Sequence, residues 1–264
     1  MKKIKIVTYN IRCLYDKIDG KNTFVNRADL ILNKIDSEMP DIICFQELSE
    51  QIYSFLRKNL KNYEIVGHGR NSDYTGEAVG IAYKRDCMEL FSLDQFWLSP
   101  TPYTPGSRYN CQSEYPRICT SALIKHKNIK TPIRFYNIHL DHKSDDAKIL
   151  GISQVLNKVY QDNQNINYPT FILGDFNSVP ESQTLSKCKE YTNYSIVDIT
   201  KGLGETFHNF GGTGNTPNAQ GLKIDYIFAD INTAKSVKNV YKWTDTIDGI
   251  YLSDHYPICC EVEF

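Results

Sequence analysis

A seven-residue pattern occurs twice in this chain and limits the folds open to it. Residues 6–12 read Ile-Val-Thr-Tyr-Asn-Ile-Arg, and residues 133–139 read Ile-Arg-Phe-Tyr-Asn-Ile-His. Each copy is followed by a segment of helical periodicity and then by a short apolar segment closed by an acid. The first half closes with Cys44-Phe45-Gln46-Glu47, the second with Leu173-Gly174-Asp175. Asn10 to Glu47 spans 37 positions and Asn137 to Asp175 spans 38. The matched spacing predicts two similar strand–helix–strand units, packed as two like layers about a pseudo-two-fold axis.

The rest of the chain reads as alternating strands and helices. Strands are predicted at Lys3 to Tyr9, Asp41 to Phe45, Ala78 to Tyr83, Cys87 to Trp97, Ile118 to Lys125, Ile133 to Leu140 and Thr170 to Leu173. Leu222 to Ala229, Val237 to Trp243 and Tyr256 to Phe264 complete the set. Asn26 to Ser37 carries Ala28, Ile31, Leu32 and Ile35, the spacing of one helix face. Ser49 to Leu60, with Ser49 as N-cap, and Lys143 to Tyr160 read as further helices. Residues 99–117 and 202–221 read as long loops, the second with six glycines. No linker-like break in composition occurs, so residues 1–264 are expected to form a single α/β domain.

Composition narrows the functional classes. With 264 residues, 41% of them hydrophobic, the chain can bury a large core. Lys and Arg number 30 against 31 Asp and Glu, a net charge of −1. That balance argues against holding long nucleic acid by bulk electrostatics. No apolar run is long enough to span a bilayer. The start, Met1-Lys2-Lys3-Ile4-Lys5-Ile6, has the positive charge of a signal peptide without its apolar stretch. The expected location is cytoplasmic. The eight cysteines contain no C-x-x-C, and several sit in apolar runs, so they read as reduced core residues. His68 and His126 read as surface residues.

Polar residues gather where the apolar runs stop. Asn10 and Arg12 follow the first strand and Glu47 the second. His139, Asp141 and His142 close Phe135 to Leu140, and Asp175 and Asn177 follow Phe-Ile-Leu-Gly. A single such residue is ordinarily a turn or a solvated loop. Several clusters rich in Asp, Glu, Asn and His point instead to chemistry at strand ends, where a scaffold holds the groups and solvent reaches them. Carboxylate and amide oxygens without thiolate suit a hard cation, Mg2+ or Mn2+. Such a cation with histidines suits phosphate-ester hydrolysis, which needs an activated water, neutralised phosphoryl oxygens and help for the leaving oxygen. No P-loop and no H-E-x-x-H occurs. The Gly211-Gly212-Thr213-Gly214 run lacks the P-loop lysine and reads as a mobile loop.

Six ordered motifs resemble those of the endonuclease/exonuclease/phosphatase superfamily. They are Thr8-Tyr9-Asn10-Ile11-Arg12, Phe45-Gln46-Glu47, Asn137-Ile138-His139-Leu140-Asp141-His142, Gly174-Asp175-Phe176-Asn177, Lys223-Ile224-Asp225-Tyr226-Ile227-Phe228 and Ser253-Asp254-His255-Tyr256-Pro257. The N-x-H-L-D-H form is similar to the deadenylase and nocturnin branch. Phe96-Trp97-Leu98-Ser99 and Pro116-Arg117-Ile118-Cys119-Thr120 resemble small stand-alone bacterial members. The resemblance implies a four-layer α/β/β/α sandwich of two packed mixed β-sheets flanked by helices. It also implies hydrolysis of a phosphodiester or phosphomonoester with Mg2+ or Mn2+.

The resemblance carries roles onto these residues. Asn10 and Glu47 match the principal metal site, Asn10 also reaching substrate. Asp175 matches the group that orients or deprotonates the attacking water, with Asn177 fixing Asp175 and the phosphate. His139 and His255 would donate to phosphoryl oxygens. Asp254 and His255 are adjacent, so on extended chain their side chains diverge. That makes Asp225 the expected partner of His255 and leaves Asp254 for metal. Arg117 is a candidate phosphate clamp by its chemistry, with a surface salt bridge as the alternative, and Asp141 is a further substrate-binding candidate. Trp97, Tyr103, Tyr109 and Tyr115 either stack a base or sugar or, for most of them, pack the loop. His208 is a weak candidate for the site.

The leading expectation is a metal-dependent phosphoesterase acting on a phosphodiester, a nuclease or an enzyme of small nucleotide-like substrates. Single-stranded nucleic acid is a conceivable substrate, and no membrane or obligate protein partner is expected. Inositol-phosphate or sphingolipid hydrolysis is the alternative within the class. An inactive binding module of the same fold is the alternative outside it, disfavoured because every motif carries a chemically competent residue.

Overall fold

The computed structural model describes residues 1–14, 17–212 and 221–264. In it the two copies of the repeat become the centres of two six-stranded sheets. The first sheet contains β1 (Lys3–Asn10), β2 (Ile42–Leu48), β3 (Tyr63–Val66) and β4 (Ala78–Lys84). The second contains β5 (Met88–Trp97), β6 (Ile118–His126), β7 (Ile133–His139), β8 (Thr170–Asp175), β9 (Ile196–Asp198) and β10 (Asp225–Asp230). The chain then returns to the first sheet through β11 (Val237–Lys242), makes a small ribbon of β12 (Thr246–Ile247) and β13 (Ile250–Tyr251), and ends in β14 (Ile258–Glu263).

The strand orders are β11-β14-β1-β2-β4-β3 and β5-β6-β7-β8-β10-β9. Read in parallel, the orders match position for position. In each sheet the central pair, β1 with β2 or β7 with β8, is parallel, and every other pairing is antiparallel. A parallel pair needs a crossover, usually a helix. The crossovers here are α1 (Phe24–Glu38) and α3 (Asp145–Asp162). The shared Tyr-Asn-Ile pattern therefore marks a repeated topology.

Side-chain direction alternates along these strands with the period of two that extended chain imposes, so their two faces enter different cores. In β1, Ile4 and Ile6 enter a core between the sheets, where they meet Ile133, Phe135, Phe171 and Leu173. Val7 and Tyr9 point the other way, onto Ala28, Ile31 and Ile35 of α1, beside Ile52 and Leu56 of α2 (Glu50–Asn59). On the far side, Tyr136, Ile138 and Ile172 pack on Ile152, Val155 and Leu156 of α3 and Leu185 of α4 (Gln183–Glu190). The layers are thus helix, sheet, sheet, helix. A short α5 (Ile231–Ala234) follows β10.

The central layer also holds a polar link. Asn137 Nδ2 donates to the carbonyls of Phe45 (2.9 Å) and Gly80 (2.8 Å), and its Oδ1 accepts from Gln46 Nε2 (2.7 Å). Asn137 and Gln46 are both fully buried. Buried polar groups need such partners, and here the bonds join the two sheets. The two asparagines of the repeat therefore differ in role, since Asn10 lies at the edge.

Several expectations shift. β3, β9, α4 and the β12–β13 ribbon were not expected as elements. Strand β2 runs on to Leu48, so Glu47 lies within it. Ser49 caps α2 in position only; its hydroxyl makes no cap hydrogen bond. His126 is buried, its Nδ1 accepting the Asn128 N–H at 3.0 Å, and His68 is half-buried against Trp97 and Tyr74. All eight cysteines are free thiols; six are buried, Cys87 is half-buried and Cys111 is exposed. Residues 99–117 form no helix or strand, and neither do residues 202–212. Residues 213–220, including Thr213 and Gly214 of the glycine run, lie outside the described residues. No helix among the described residues is long and apolar enough to cross a membrane.

Candidate active site

Inter-sheet parity delivers polar residues to one edge of the sandwich. Asn10, His139 and Asp175 continue the inward-facing positions of β1, β7 and β8 past the point where the apolar core ends. His139 and Asp175 are ladder partners, as are Asp175 and Asp225. Glu47 does not follow the parity of β2, whose inward positions are Ile42, Cys44 and Gln46. The ladder to β4 slips between Phe45 and Leu48, and Glu47 takes φ +60°. A bulge re-aims the side chain, and Glu47 turns to Asn10.

Asn10 Nδ2 donates to Glu47 Oε1 and to Asp175 Oδ2, both at 3.0 Å, and lies 3.4 Å from His255 Nε2. Its Oδ1 accepts the Arg12 N–H at 3.1 Å. Glu47 Oε2 accepts the Cys13 N–H at 2.9 Å. Asp175 Oδ1 accepts the Asn177 N–H at 2.7 Å, and Asn177 Nδ2 is held by the Leu140 carbonyl at 3.1 Å. His139 Nε2 stands 3.6 Å from Asp175 Oδ2, and His255 Nε2 3.9 Å from it. His255 Nδ1 lies 2.8 Å from Asp225 Oδ2, which also accepts from the Thr206 hydroxyl at 2.6 Å.

Burial makes these charges matter. Asp175 is pushed up to about 7, first by burial and then by neighbouring Asp225. For His255 burial works the other way, but Asp225 together with Asp254 and Asp175 outweighs it and raises the imidazole to about 10. Burial and the Arg117 charge hold His139 below the ordinary histidine range. Burial also opposes the charge of Glu47, yet the cationic groups around it, Arg12 among them, and the Cys13 N–H keep its carboxyl low.

Oxygens of Glu47 and Asp175 and a nitrogen of His139 lie within 4.8 Å of one another; Asp175, Asp225 and His255 form a second such group. The first group offers two carboxylates and an imidazole to a hard cation. The second is bound up in the His255–Asp225 hydrogen bond. Asn10 faces the carboxylates with its nitrogen. Asp254 lines the same cleft but belongs to neither group; it lies 3.4 Å from Arg12 Nη1, with its Oδ1 accepting from Ser253 Oγ.

A cleft of about 430 Å³ opens over this cluster, its wall including Arg12, Arg70, Glu77, Tyr115, Arg117 and His142. Arg117 is 4% exposed; its Nη2 lies 3.0 Å from His142 Nδ1, while Nε and Nη1 have no hydrogen-bond partner among the described residues. Asp141 lies outside the wall. Its Oδ1 accepts the N–H groups of Lys143 and Ser144, and its Oδ2 accepts from Ser113. The carboxylate thereby fixes the turn into α3 and the 99–117 loop. His208 is also away from the cleft, stacked on Tyr256 at 3.8 Å. Trp97 packs against His68 and Tyr74 and donates its ring N–H to the Arg70 carbonyl, Tyr109 ties the 99–117 loop to Gln154, Tyr103 reaches Asp94, and Tyr115 faces the cleft.

Sequence reasoning missed Arg70, Glu77, Thr206 and Arg27. Arg70 and Glu77 lie on a loop with no motif and pair at 2.8 Å. Arg27 sits among the apolar positions of α1 and is fully buried. Its guanidinium donates to the carbonyls of Asn22, Ile11 and Leu252 at 2.8 Å and of Arg12 at 3.2 Å. It thus ties the chain leaving Asn10 to the chain approaching His255. Arg27→Met should lower the unfolding free energy by about 3 kcal/mol, because several buried carbonyls lose their donor. Urea denaturation measures this; a loss below about 1 kcal/mol would show that the loops hold without Arg27.

The model of the endonuclease/exonuclease/phosphatase family matches residues 7–255. The chain is similar to an endonuclease/exonuclease/phosphatase of Bacteroides vulgatus, 25% identical, with 100% of each chain covered and a TM-score of 0.89. A mannosyl-6-phosphatase of Bacteroides thetaiotaomicron is 24% identical over 99% of this chain and 100% of its own, TM-score 0.84. TDP2 of D. rerio, complexed with a single-strand DNA product, is 16% identical with 100% of each chain covered, TM-score 0.78. The last two share the fold at identities too low to carry more.

Proposed function

Because the chain belongs to the endonuclease/exonuclease/phosphatase family, we propose that it is a phosphoesterase that works with a divalent cation, Mg2+ or Mn2+, and an activated water. The observation that carries this reading is Asp175, a buried carboxylate pushed up to about 7, between Asn10, His139 and the His255–Asp225 pair. A carboxylate held in this way is placed to accept a proton from the attacking water.

The donor set fits the cation. The carboxylates of Glu47 and Asp175 and the His139 imidazole converge within 4.8 Å of one another, the donor set and spacing that one hard cation needs. Glu47 would hold the ion together with the facing atoms of Asp175 or His139. Asn10 and Asp254, the other expected ligands, present a nitrogen and an ion-paired carboxylate. When bound, such an ion neutralises phosphoryl oxygens and supports the leaving oxygen.

The chain's own groups supply the rest. Asp175, aimed by the Asn177 N–H and Asn10, orients and deprotonates the water. His255, kept cationic by Asp225, stabilises charge developing on the phosphoryl oxygens. His139, neutral in its pocket, donates a hydrogen bond to the same group. The open Nε and Nη1 of Arg117 are donors for a phosphate oxygen. This complete set favours an enzyme over an inactive binding module. Within the family we place the chain among the small stand-alone bacterial members.

The fold alone does not choose a substrate, since the similar structures include a sugar phosphatase and a DNA-bound protein. The net charge of −1 and the confined cleft favour a small or short phosphate ester. The test of activity is hydrolysis of bis-p-nitrophenyl phosphate and p-nitrophenyl phosphate with Mg2+, with Mn2+ and with EDTA. Turnover lost in EDTA is expected; turnover unchanged by EDTA would overturn the cation. For binding, a salt titration of duplex DNA on an Asp175→Asn variant should give a log–log slope between about −1 and −3, one to three phosphate contacts. A slope steeper than about −5 would mean an extended basic footprint and would defeat the small-substrate reading.

A further inference from the structure

The cleft does not end at the catalytic cluster. Beyond Cys13, Arg70, Glu77 and Tyr115, which both spaces share, it continues into a second compartment of about 490 Å³. This compartment adds Ser49, Glu50, Gln51 and Asn71 to the wall. We infer that it receives the leaving group of the substrate, and that this group is neutral and rich in hydroxyls, so that the substrate is a phosphorylated sugar or polyol. The inference rests on the phosphoesterase reading and names its substrate class.

Position supports the first half. Glu47 and Asp175 flank Asn10 Nδ2, and the Cys13 N–H bonds to Glu47. The second compartment therefore lies on the Glu47 side of the cluster. Displacement at phosphorus is in line, with the entering and departing oxygens on opposite faces. Water held at Asp175 expels the leaving oxygen toward Glu47, Cys13 and the space behind them. The water oxygen bonds to phosphorus and the bond to the sugar oxygen breaks. One water proton passes to Asp175 and on to solvent, and the departing alkoxide takes a proton from solvent. The products are inorganic phosphate and the free alcohol.

Charge and hydrogen-bonding capacity support the second half. The donors that want an anion are Nε and Nη1 of Arg117, buried and without a hydrogen-bond partner among the described residues, and Arg117 lines only the first compartment of the two. In the second compartment the Arg70 charge is met by Glu77 at 2.8 Å, and its guanidinium lies 4.6 Å from the centre of the Tyr115 ring. Among the described residues the remaining charged wall group there is Glu50, an acid. A second phosphate would face Glu50 and Glu77 without a spare cation, as would the next nucleotide of a chain. Carboxylates, the Gln51 and Asn71 amides and the Ser49 hydroxyl are instead acceptors and donors for hydroxyl groups. A site of this kind discriminates strongly against ligands that lack the hydroxyls.

The experiment compares kcat/KM, with the activating metal, for a hexose 6-phosphate, an alditol phosphate, a hexose bisphosphate, AMP, a dinucleotide and p-nitrophenyl phosphate. The sugar and alditol monophosphates should be preferred over AMP and the dinucleotide by at least about tenfold, and over the bisphosphate by a similar factor. A double variant, Gln51→Ala with Asn71→Ala, should raise KM for the sugar phosphate about tenfold and leave kcat/KM for p-nitrophenyl phosphate within about twofold. Preference for AMP or the dinucleotide, or an equal effect of the double variant on both substrates, would overturn the inference. In those cases metal-dependent cleavage of p-nitrophenyl phosphate leaves the phosphoesterase reading intact. No cleavage of any ester under Mg2+ or Mn2+ would overturn both.

Discussion

Replacing Asp175 by Asn lowers kcat by about two to four powers of ten, the range for loss of a general base. The same substitution should leave the protein at least as stable near neutral pH in EDTA. The sign follows from linkage. Asp175 is raised in the fold from an ordinary 3.8 to about 7. Between those values the native state holds a proton that the unfolded chain has released, so stability falls as pH rises through the window. Above about 7 the native carboxylate is charged, buried and costly, and a neutral amide avoids that cost. Thermal melts at pH 8 and single-turnover rates on p-nitrophenyl phosphate check the two halves. A variant that turns over at the wild-type rate would remove Asp175 from the mechanism. A variant that melts far below wild type would show that the carboxylate holds the fold through Asn10 and Asn177 more than it strains it.

This opposition between function and stability explains why part of the site was legible in sequence and part was not. The first strand showed itself by apolar alternation and others as short apolar runs, and in β1, β7 and β8 strand parity carries Asn10, His139 and Asp175 to the inner face. Period two is a local property, so a single sequence displays it. The repeat was legible because the two parallel pairs recur with nearly equal crossovers. Lengths and parity do not report where a ladder slips, and Glu47 reaches Asn10 only through the bulge after Phe45 and a left-handed backbone. Arg12 (φ 63°) and Asn177 (φ 47°) share that conformation beside the cluster. Such strain at non-glycine residues is held in place by surrounding contacts, here the hydrogen bonds of Asn10, Cys13 and Leu140.

Long-range partners were the other blind spot. Asp141 stands in a motif and looks like a substrate ligand, yet its oxygens are taken by Ser113, Lys143 and Ser144. Ser113 is 28 positions away, and nothing in either segment announces the contact. Arg27 falls on the apolar stripe of α1, where a cation reads as an exception on a buried face. Its four carbonyl partners come from three separate stretches of chain. Arg70 and Glu77 form one wall of the cleft from a loop whose composition is that of any polar turn.

Glu47→Gln tests the cation directly. The substitution keeps shape and removes one full charge from the group that faces Asp175 and His139. Oxygen ligands hold a hard cation largely by charge, so affinity for Mg2+ or Mn2+ should fall at least about tenfold and turnover at least about a hundredfold. The glutamine oxygen can still accept the Cys13 N–H, but its NH2 then faces the Asn10 amide nitrogen, a donor against a donor. The variant should therefore also lose about 1 kcal/mol of stability in EDTA, the ordinary worth of one hydrogen bond. Asp175→Asn sets the same donor against Asn10 Nδ2, but there the removal of a buried carboxylate held above its ordinary range offsets the loss. Calorimetry showing unchanged metal affinity in Glu47→Gln would move the cation elsewhere, and Asp254, freed from Arg12, would be the next carboxylate to examine. If instead affinity falls and excess Mn2+ restores turnover, the defect lies in holding the ion, and Glu47 is its principal anchor.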